Sequence, residues 1–229
     1  MKNTNIKDVF FDLDHTLWDF DKNSEMAFDK IFRRHHPSLD TKVFITVYAP
    51  INQACWKLYQ MDKMTQEELR YKRLKDSFDA INYTISDEAI LQFSEDYIAF
   101  LPENNALFDG AKEVLDYLKN NYKLHVITNG FADVQYKKLS NSGIADYFTS
   151  ITNSEMAGVK KPHPKIYEHA MTLAKTNKKN AIMIGDCLDA DINGAIDFGI
   201  KAIFFNPEKK EVPLNVPSVN HLLELKNIL

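Results

Sequence analysis

Val9-Phe10-Phe11-Asp12-Leu13-Asp14-His15-Thr16-Leu17 is the stretch whose reading decides the fold. Three apolar residues run without polar alternation into two acids separated by one leucine. An apolar run lacking a period of two suits a parallel strand buried on both faces. Acids at its carboxyl end then fall where open parallel sheets bind their ligands.

Downstream, four helices can be drawn between about residues 21 and 101. Asp21 or Asn23 caps a first, running to about Arg34 and stopped by Pro37. Asp40 opens a second toward Tyr59, and Pro50 inside it predicts a kink or a break. Thr65-Gln66-Glu67-Glu68 has capping-box spacing for a third, and Ser86-Asp87 caps a fourth. After Pro102 the pattern changes to strands alternating with helices. Helices are expected over about 111–120, 133–141, 164–174, 190–198 and 218–226. Between them lie the apolar strands 124–127, 181–185 and 202–205 and a weaker one near 149–152. Alternation of this kind predicts an α/β fold with a Rossmann-like parallel sheet. The all-helical block cannot join that sheet, so it reads as an inserted cap domain. The expected division is a core of residues 1–16 and 104–229 around a helical domain of residues 17–103.

Composition limits the function. The net charge of −4 over 229 residues gives no electrostatic footprint for polymeric nucleic acid or an anionic membrane. Cys55 and Cys187 are far apart and lack metal-ligand spacing, which argues against a disulfide framework or a zinc site. The apolar run near the start is too short for a signal-peptide core, so a reducing cytoplasm is the expected compartment.

The polar residues after each strand define the candidate chemistry. Asp12, Asp14 and Thr16 follow the first strand, and Thr128 and Asn129 the second. Lys160 and Lys161 lie beyond the third, and Asp186, Asp189 and Asp191 follow the fourth. Carboxylates gathered together repel unless a positive charge neutralises them. A hard divalent cation with oxygen ligands does so, and magnesium is the common choice beside phosphate. Aspartate is a competent nucleophile toward phosphorus. Each residue also has a plainer reading. Asp12 and Asp14 could be cap carboxylates, Thr128-Asn129 turn chemistry before Gly130, Lys160 a solvated charge and Asp189 a helix N-terminal acid. His35-His36 point in different directions on a helix, and Cys187 has no partner pattern for a nucleophile.

At these residues the sequence resembles the haloacid dehalogenase superfamily. The motifs stand as Phe11-Asp12-Leu13-Asp14-His15-Thr16-Leu17, Ile127-Thr128-Asn129-Gly130, Lys161-Pro162-His163-Pro164, and Gly185-Asp186-Cys187-Leu188-Asp189-Ala190-Asp191. They occur in order and together span the core. The resemblance implies Asp12 as nucleophile and Asp14 as general acid and then base. It implies Thr128, Asn129 and Lys161 as phosphate ligands. It further implies Mg2+ held by Asp12, the Asp14 backbone carbonyl and Asp186, with Asp191 adjacent or acting through water. His163 departs from the usual Asp or Asn, and the doubled Lys160-Lys161 leaves a choice settled here for Lys161, which precedes the proline.

Dehalogenases of that superfamily generally lack the second aspartate, so the presence of Asp14 favours a phosphatase. Asp14 to Asp21, taken with Ile127 to Phe131, looks like the pyrimidine-nucleotide 5'-nucleotidase branch. The expected substrate is therefore a small phosphate ester, a nucleoside monophosphate, with one of Trp18 and Phe20, Trp18 foremost, lining a base or sugar pocket by stacking. A sugar-phosphate or phosphoglycolate phosphatase, a mutase, or a protein that only binds a phosphorylated ligand are the alternatives.

Overall fold

The computed structural model describes residues 5–213 and 215–229. The reading of the first four residues therefore lies outside the described part. The chain divides into two compact units, Met1–Asp19 with Asn105–Leu229, and Phe20–Asn104.

The first unit is built on six parallel strands in the order β3-β2-β1-β4-β5-β6. They are β1 (Asp8–Phe11), β2 (Lys123–Thr128), β3 (Phe148–Asn153), β4 (Ala181–Gly185), β5 (Lys201–Phe205) and β6 (Ser218–Val219). β1 pairs with β2 on one side and β4 on the other, so it is central. Every residue of β1 and of β4 is buried, the outcome that an unalternating apolar run predicts. The central position of β1 carries Asp12 to the middle of the sheet's carboxyl edge. There the Asp12 N–H donates to the Ile184 carbonyl at 2.9 Å. One face of the sheet packs Phe10, Ile127 and Met183 against Ile166, Tyr167 and Ala170 of a following helix.

The second unit holds α1 (Phe20–His35), α2 (Thr41–Gln60), α3 (Gln66–Ala80) and α4 (Asp87–Phe100). Its core is aromatic. Phe28 stacks on Tyr97 with ring centroids 4.5 Å apart and meets Tyr48 edge-on at 4.7 Å, while Phe78 meets Phe93 edge-on at 5.3 Å. The Thr65 capping box forms as its spacing predicts, with Thr65 Oγ1 accepting from the Glu68 N–H and Glu68 accepting from the Thr65 N–H.

The remaining helices belong to the first unit: α5 (Ala111–Leu118), α6 (Ala132–Asn141), α7 (Ser154–Ala157), α8 (Pro164–Ala174), α9 (Gly194–Phe198) and α10 (Leu225–Ile228). No helix among the described residues is long and apolar enough to cross a membrane.

Three expectations change. α2 continues through Pro50, which is exposed, so the predicted break does not occur. The helix expected over 190–198 begins earlier, as a π-helical turn over Leu188–Asn193. That wider turn lets Asp191 reach back toward the strand end. The last expected helix, 218–226, is instead strand β6, a 3₁₀ turn at Leu222–Glu224 and the short α10. The cause is local chemistry. The Phe204 N–H donates to the Pro217 carbonyl and the Asn206 N–H to the Val219 carbonyl, while His221 caps the turn through its Nδ1.

Candidate active site

Asp12 and Lys161 meet at the carboxyl edge of the sheet. Lys161 Nζ lies 2.5 Å from Asp12 Oδ1, 2.6 Å from Asp191 Oδ1 and 2.7 Å from the Ile127 carbonyl. The amine is therefore fully used, and its side chain is 2% exposed. Lys160 plays no part in these contacts. Burial alone would depress the Lys161 ammonium, but the Asp12 and Asp191 carboxylates outweigh it and hold the group charged.

Asn129 sets where Lys161 enters. Asn129 Oδ1 accepts from the Lys161 N–H at 2.7 Å, and Asn129 Nδ2 donates to the Lys161 carbonyl at 3.0 Å. This reciprocal pair fixes the two loops. It commits the Asn129 amide to the backbone of Lys161, so the side chain expected to bind phosphate acts here as a positioner. Thr128 Oγ1 accepts from the Gly130 N–H at 3.1 Å and from Gln135 Nε2 at 2.7 Å. Its own hydrogen is left to donate outward.

Asp186 and Asp191 complete an acidic group with Asp12. One carboxylate oxygen from each lies within 4.8 Å of the others. Thr16 Oγ1 donates to Asp186 Oδ1 at 2.8 Å, and the Cys187 N–H donates to Asp191 Oδ2 at 3.0 Å. Gly185 is needed at the strand end because a Cβ there would meet Asp191 Oδ2 at 2.3 Å. Three carboxylates share one lysine, leaving excess negative charge in a buried site. Burial, with Asp191 and Asp186 adding repulsion against the opposing Lys161, pushes the Asp12 carboxyl well above the usual range. Burial and then Asp191 push Asp186 up to about 7. A set of hard oxygen ligands with unbalanced charge fits a divalent cation of the magnesium type. Cys187 is not a reactive thiolate, since burial pushes its thiol up to about 12.

Asp14 faces a different set of partners. Lys138 Nζ lies 2.6 Å from its Oδ1, and Gln135 Nε2 lies 2.8 Å from its Oδ2. The Lys138 ammonium also sits 4.2 Å from the centre of the Trp18 ring, a cation–π geometry. Trp18 itself is fully buried, bridged through its backbone to Asp14 and to Leu107. A ring with that surrounding presents no exposed face to a nucleobase. The ring meets Lys138, which is three residues along α6 from Gln135 and so on the same helix face.

Neither Gln135 nor Lys138 was anticipated from sequence. In the structure they lie in the buried stripe Val134, Gln135, Lys138, Leu139, where a polar side chain must find a partner inside.

Comparisons with known proteins bear on the family and the fold. The sequence model of haloacid dehalogenase-like hydrolases matches residues 6–199. The chain is 32% identical over 207 residues to pyrimidine 5'-nucleotidase PynA of Streptococcus pneumoniae, covering 90% of this chain and 86% of that protein. It is equally 32% identical over 204 residues to a glyceraldehyde 3-phosphate phosphatase of Pyrococcus abyssi, covering 87% and 81%. The solved structure of the HAD-hydrolase YfnB from Bacillus subtilis, described as bound to magnesium, superposes with a TM-score of 0.87 at 28% identity. That match covers 97% of this chain and 98% of that one.

Proposed function

The chain belongs to the haloacid dehalogenase-like hydrolases, and from that premise we propose that it is a magnesium-dependent phosphatase of nucleoside 5'-monophosphates, preferring pyrimidine nucleotides. The observation that carries the reading is a buried carboxylate, Asp12, held by Lys161, with a second acid, Asp14, two residues on and held separately. A dehalogenase needs only the first.

In the first step Asp12 attacks phosphorus, and the bond from phosphorus to the ester oxygen breaks with its electron pair going to that oxygen. Asp14 gives the departing alcohol its proton. In the second step water attacks the aspartyl-phosphate, Asp14 takes the proton from that water, and the Asp12 carboxylate is released with inorganic phosphate. Lys161 offsets the charge between Asp12 and an anionic ester and keeps the nucleophile oriented. Thr128 donates its hydroxyl hydrogen to a phosphate oxygen. Asp12, Asp186 and Asp191, with the Asp14 carbonyl, are the residues that would hold Mg2+, which supplies neutralisation of the transferring group's charge. The magnesium described for the YfnB structure supports that choice of ion. The helical unit, inserted between β1 and β2, serves in this reading as the cap domain that carries substrate selection.

The pyrimidine preference draws on the likeness to PynA, and the equal identity to the archaeal phosphatase supports a second reading, a small sugar-phosphate substrate. A phosphate-release screen across nucleoside monophosphates, sugar phosphates and phosphoglycolate, with magnesium and with chelator, separates them. UMP, dUMP and dTMP are expected to lead, with release lost in chelator. A lead for a triose or hexose phosphate would transfer the substrate assignment to the second reading. No magnesium-dependent release from any ester would remove the phosphatase.

A further inference from the structure

We propose that Lys138 is a positioning residue for proton transfer, clamping the Asp14 carboxylate with the help of Gln135. The proposal rests on the reading of Asp14 as the group that protonates the leaving alcohol.

A lysine buried to 3% exposure inside a helix face needs a partner of opposite charge. Lys138 has one in Asp14, whose own side chain is 21% exposed. The ammonium donates to Oδ1 at 2.6 Å and rests over the Trp18 ring at 4.2 Å, so its position is limited from two sides. Gln135 holds the other oxygen. Its Nε2 donates both to Asp14 Oδ2 at 2.8 Å and to Thr128 Oγ1 at 2.7 Å. One amide thus joins the carboxylate that moves the proton to the hydroxyl expected to bind phosphate. Gly130 makes this approach possible, because a Cβ at that position would lie 1.9 Å from Gln135 Nε2. Asp14 follows β1 by a short turn, with the His15 N–H bonded to the Trp18 carbonyl at 2.9 Å. That turn fixes the backbone but leaves the Asp14 side chain free to rotate. The clamp supplies the missing restraint at both oxygens.

Charge matters as well as place. When Asp14 gives up its proton, a carboxylate forms beside an ammonium already in position, so little reorganisation is needed at that moment. Removing Lys138 should therefore harm reactions in proportion to how much the leaving group needs a proton. An alkyl phosphate such as UMP needs one. The p-nitrophenolate ion leaves without it.

The experiment compares kcat/KM, which extends only to departure of the leaving group, for UMP and p-nitrophenyl phosphate in the magnesium-loaded enzyme. Lys138→Met, Lys138→Arg, Gln135→Met and Asp14→Asn are measured beside the wild type, with thermal melts to establish that each is folded. Lys138→Met is expected to lose roughly tenfold to hundredfold on UMP and several times less on p-nitrophenyl phosphate. Lys138→Arg should recover most of the UMP loss, and Gln135→Met should show the same asymmetry at smaller size. An equal loss on both esters in Lys138→Met would make the residue merely structural and overturn the clamp. If Lys138→Met does not fold, Gln135→Met decides by the same asymmetry. Asp14→Asn separates the two levels of the argument. Asymmetry there but none at Lys138 or Gln135 sinks the clamp alone, and none at Asp14 sinks the underlying reading together with the clamp.

Discussion

Lys161 and His125 show how much depends on which groups surround a buried charge. Lys161 neutralises only part of the acidic group, and Asp186 is left with its carboxyl pushed up to about 7 by burial and by Asp191. Below that pH a proton occupies a group proposed to coordinate the ion, so on that proposal cation binding releases a proton and is weaker in acid. Magnesium affinity measured by calorimetry should fall as pH drops below about 7. Asp186→Asn should weaken binding at least about tenfold. His125 lies at the other end of β2, fully buried. Its Nε2 is 3.1 Å from Asp8 Oδ1 and its Nδ1 is 2.7 Å from Ser150 Oγ, while Thr176 Oγ1 donates to Asp8 Oδ2 at 2.6 Å. Burial, opposed by Asp8, holds the imidazole below its ordinary value. The unfolded chain takes up a proton near pH 6.5 while the folded chain does not, so acid favours unfolding through this group. Its contribution is complete above about pH 6.5 and declines as pH falls toward the lower folded value. His125→Gln should flatten the urea-unfolding free energy between about pH 7.5 and 5.5; an unchanged slope would show that the histidine is not responsible.

At the scale of elements, α2 and α3 make opposite statements about local preference. Pro50 sits in the interior of α2 and removes one backbone donor from the helix, yet the aromatic packing of Phe44 and Tyr48 on Phe28 keeps the helix whole. Pro50→Ala should raise stability by about 1–3 kcal/mol in chemical denaturation. The capping box that opens α3 acts with its helix, and Thr65→Ala should cost about 1 kcal/mol by the same measurement. These cases also mark what was readable in the sequence. Strand β1 and the residues after each strand were legible because a buried parallel strand has no alternation and the chemistry is concentrated at its end. The Thr65 and Asp40 caps were legible because capping depends on spacing of a few residues. The break expected at Pro50 does not form, because tertiary packing overrides one missing hydrogen bond. The C-terminal segment was wrong because pairing with β5, a non-local event, took Ser218–Val219 out of the expected helix. Gln135 and Lys138 stayed hidden because on α6 alone they resemble a solvated face, and only Asp14, over a hundred positions earlier, shows otherwise. Trp18 looked available because it follows the nucleophile closely, but nearness in sequence did not give an open ring.

For the whole molecule, sheet order determines chemistry. Placing β1 between β2 and β4 brings Asp12, Thr128 and Asp186 to one edge from three distant parts of the chain. Lys161 then arrives from the loop after α7 and Asp191 from the π-helical turn after β4, and the two bind each other there. Buried as the site is, each member limits the protonation of the others, so single substitutions will not act additively. The helical unit contributes none of these groups. Its core is organised around Phe28, Phe44 and Phe93. Everything chemical therefore converges on whether Asp12 carries the phosphoryl group. The direct test is to quench the enzyme in acid during turnover of a phosphate ester with magnesium present and to map modified peptides by mass spectrometry. The account predicts one added phosphoryl group on the peptide containing Asp12, absent in Asp12→Asn. Turnover with an unmodified Asp12, or with the phosphoryl group on another residue, would contradict it.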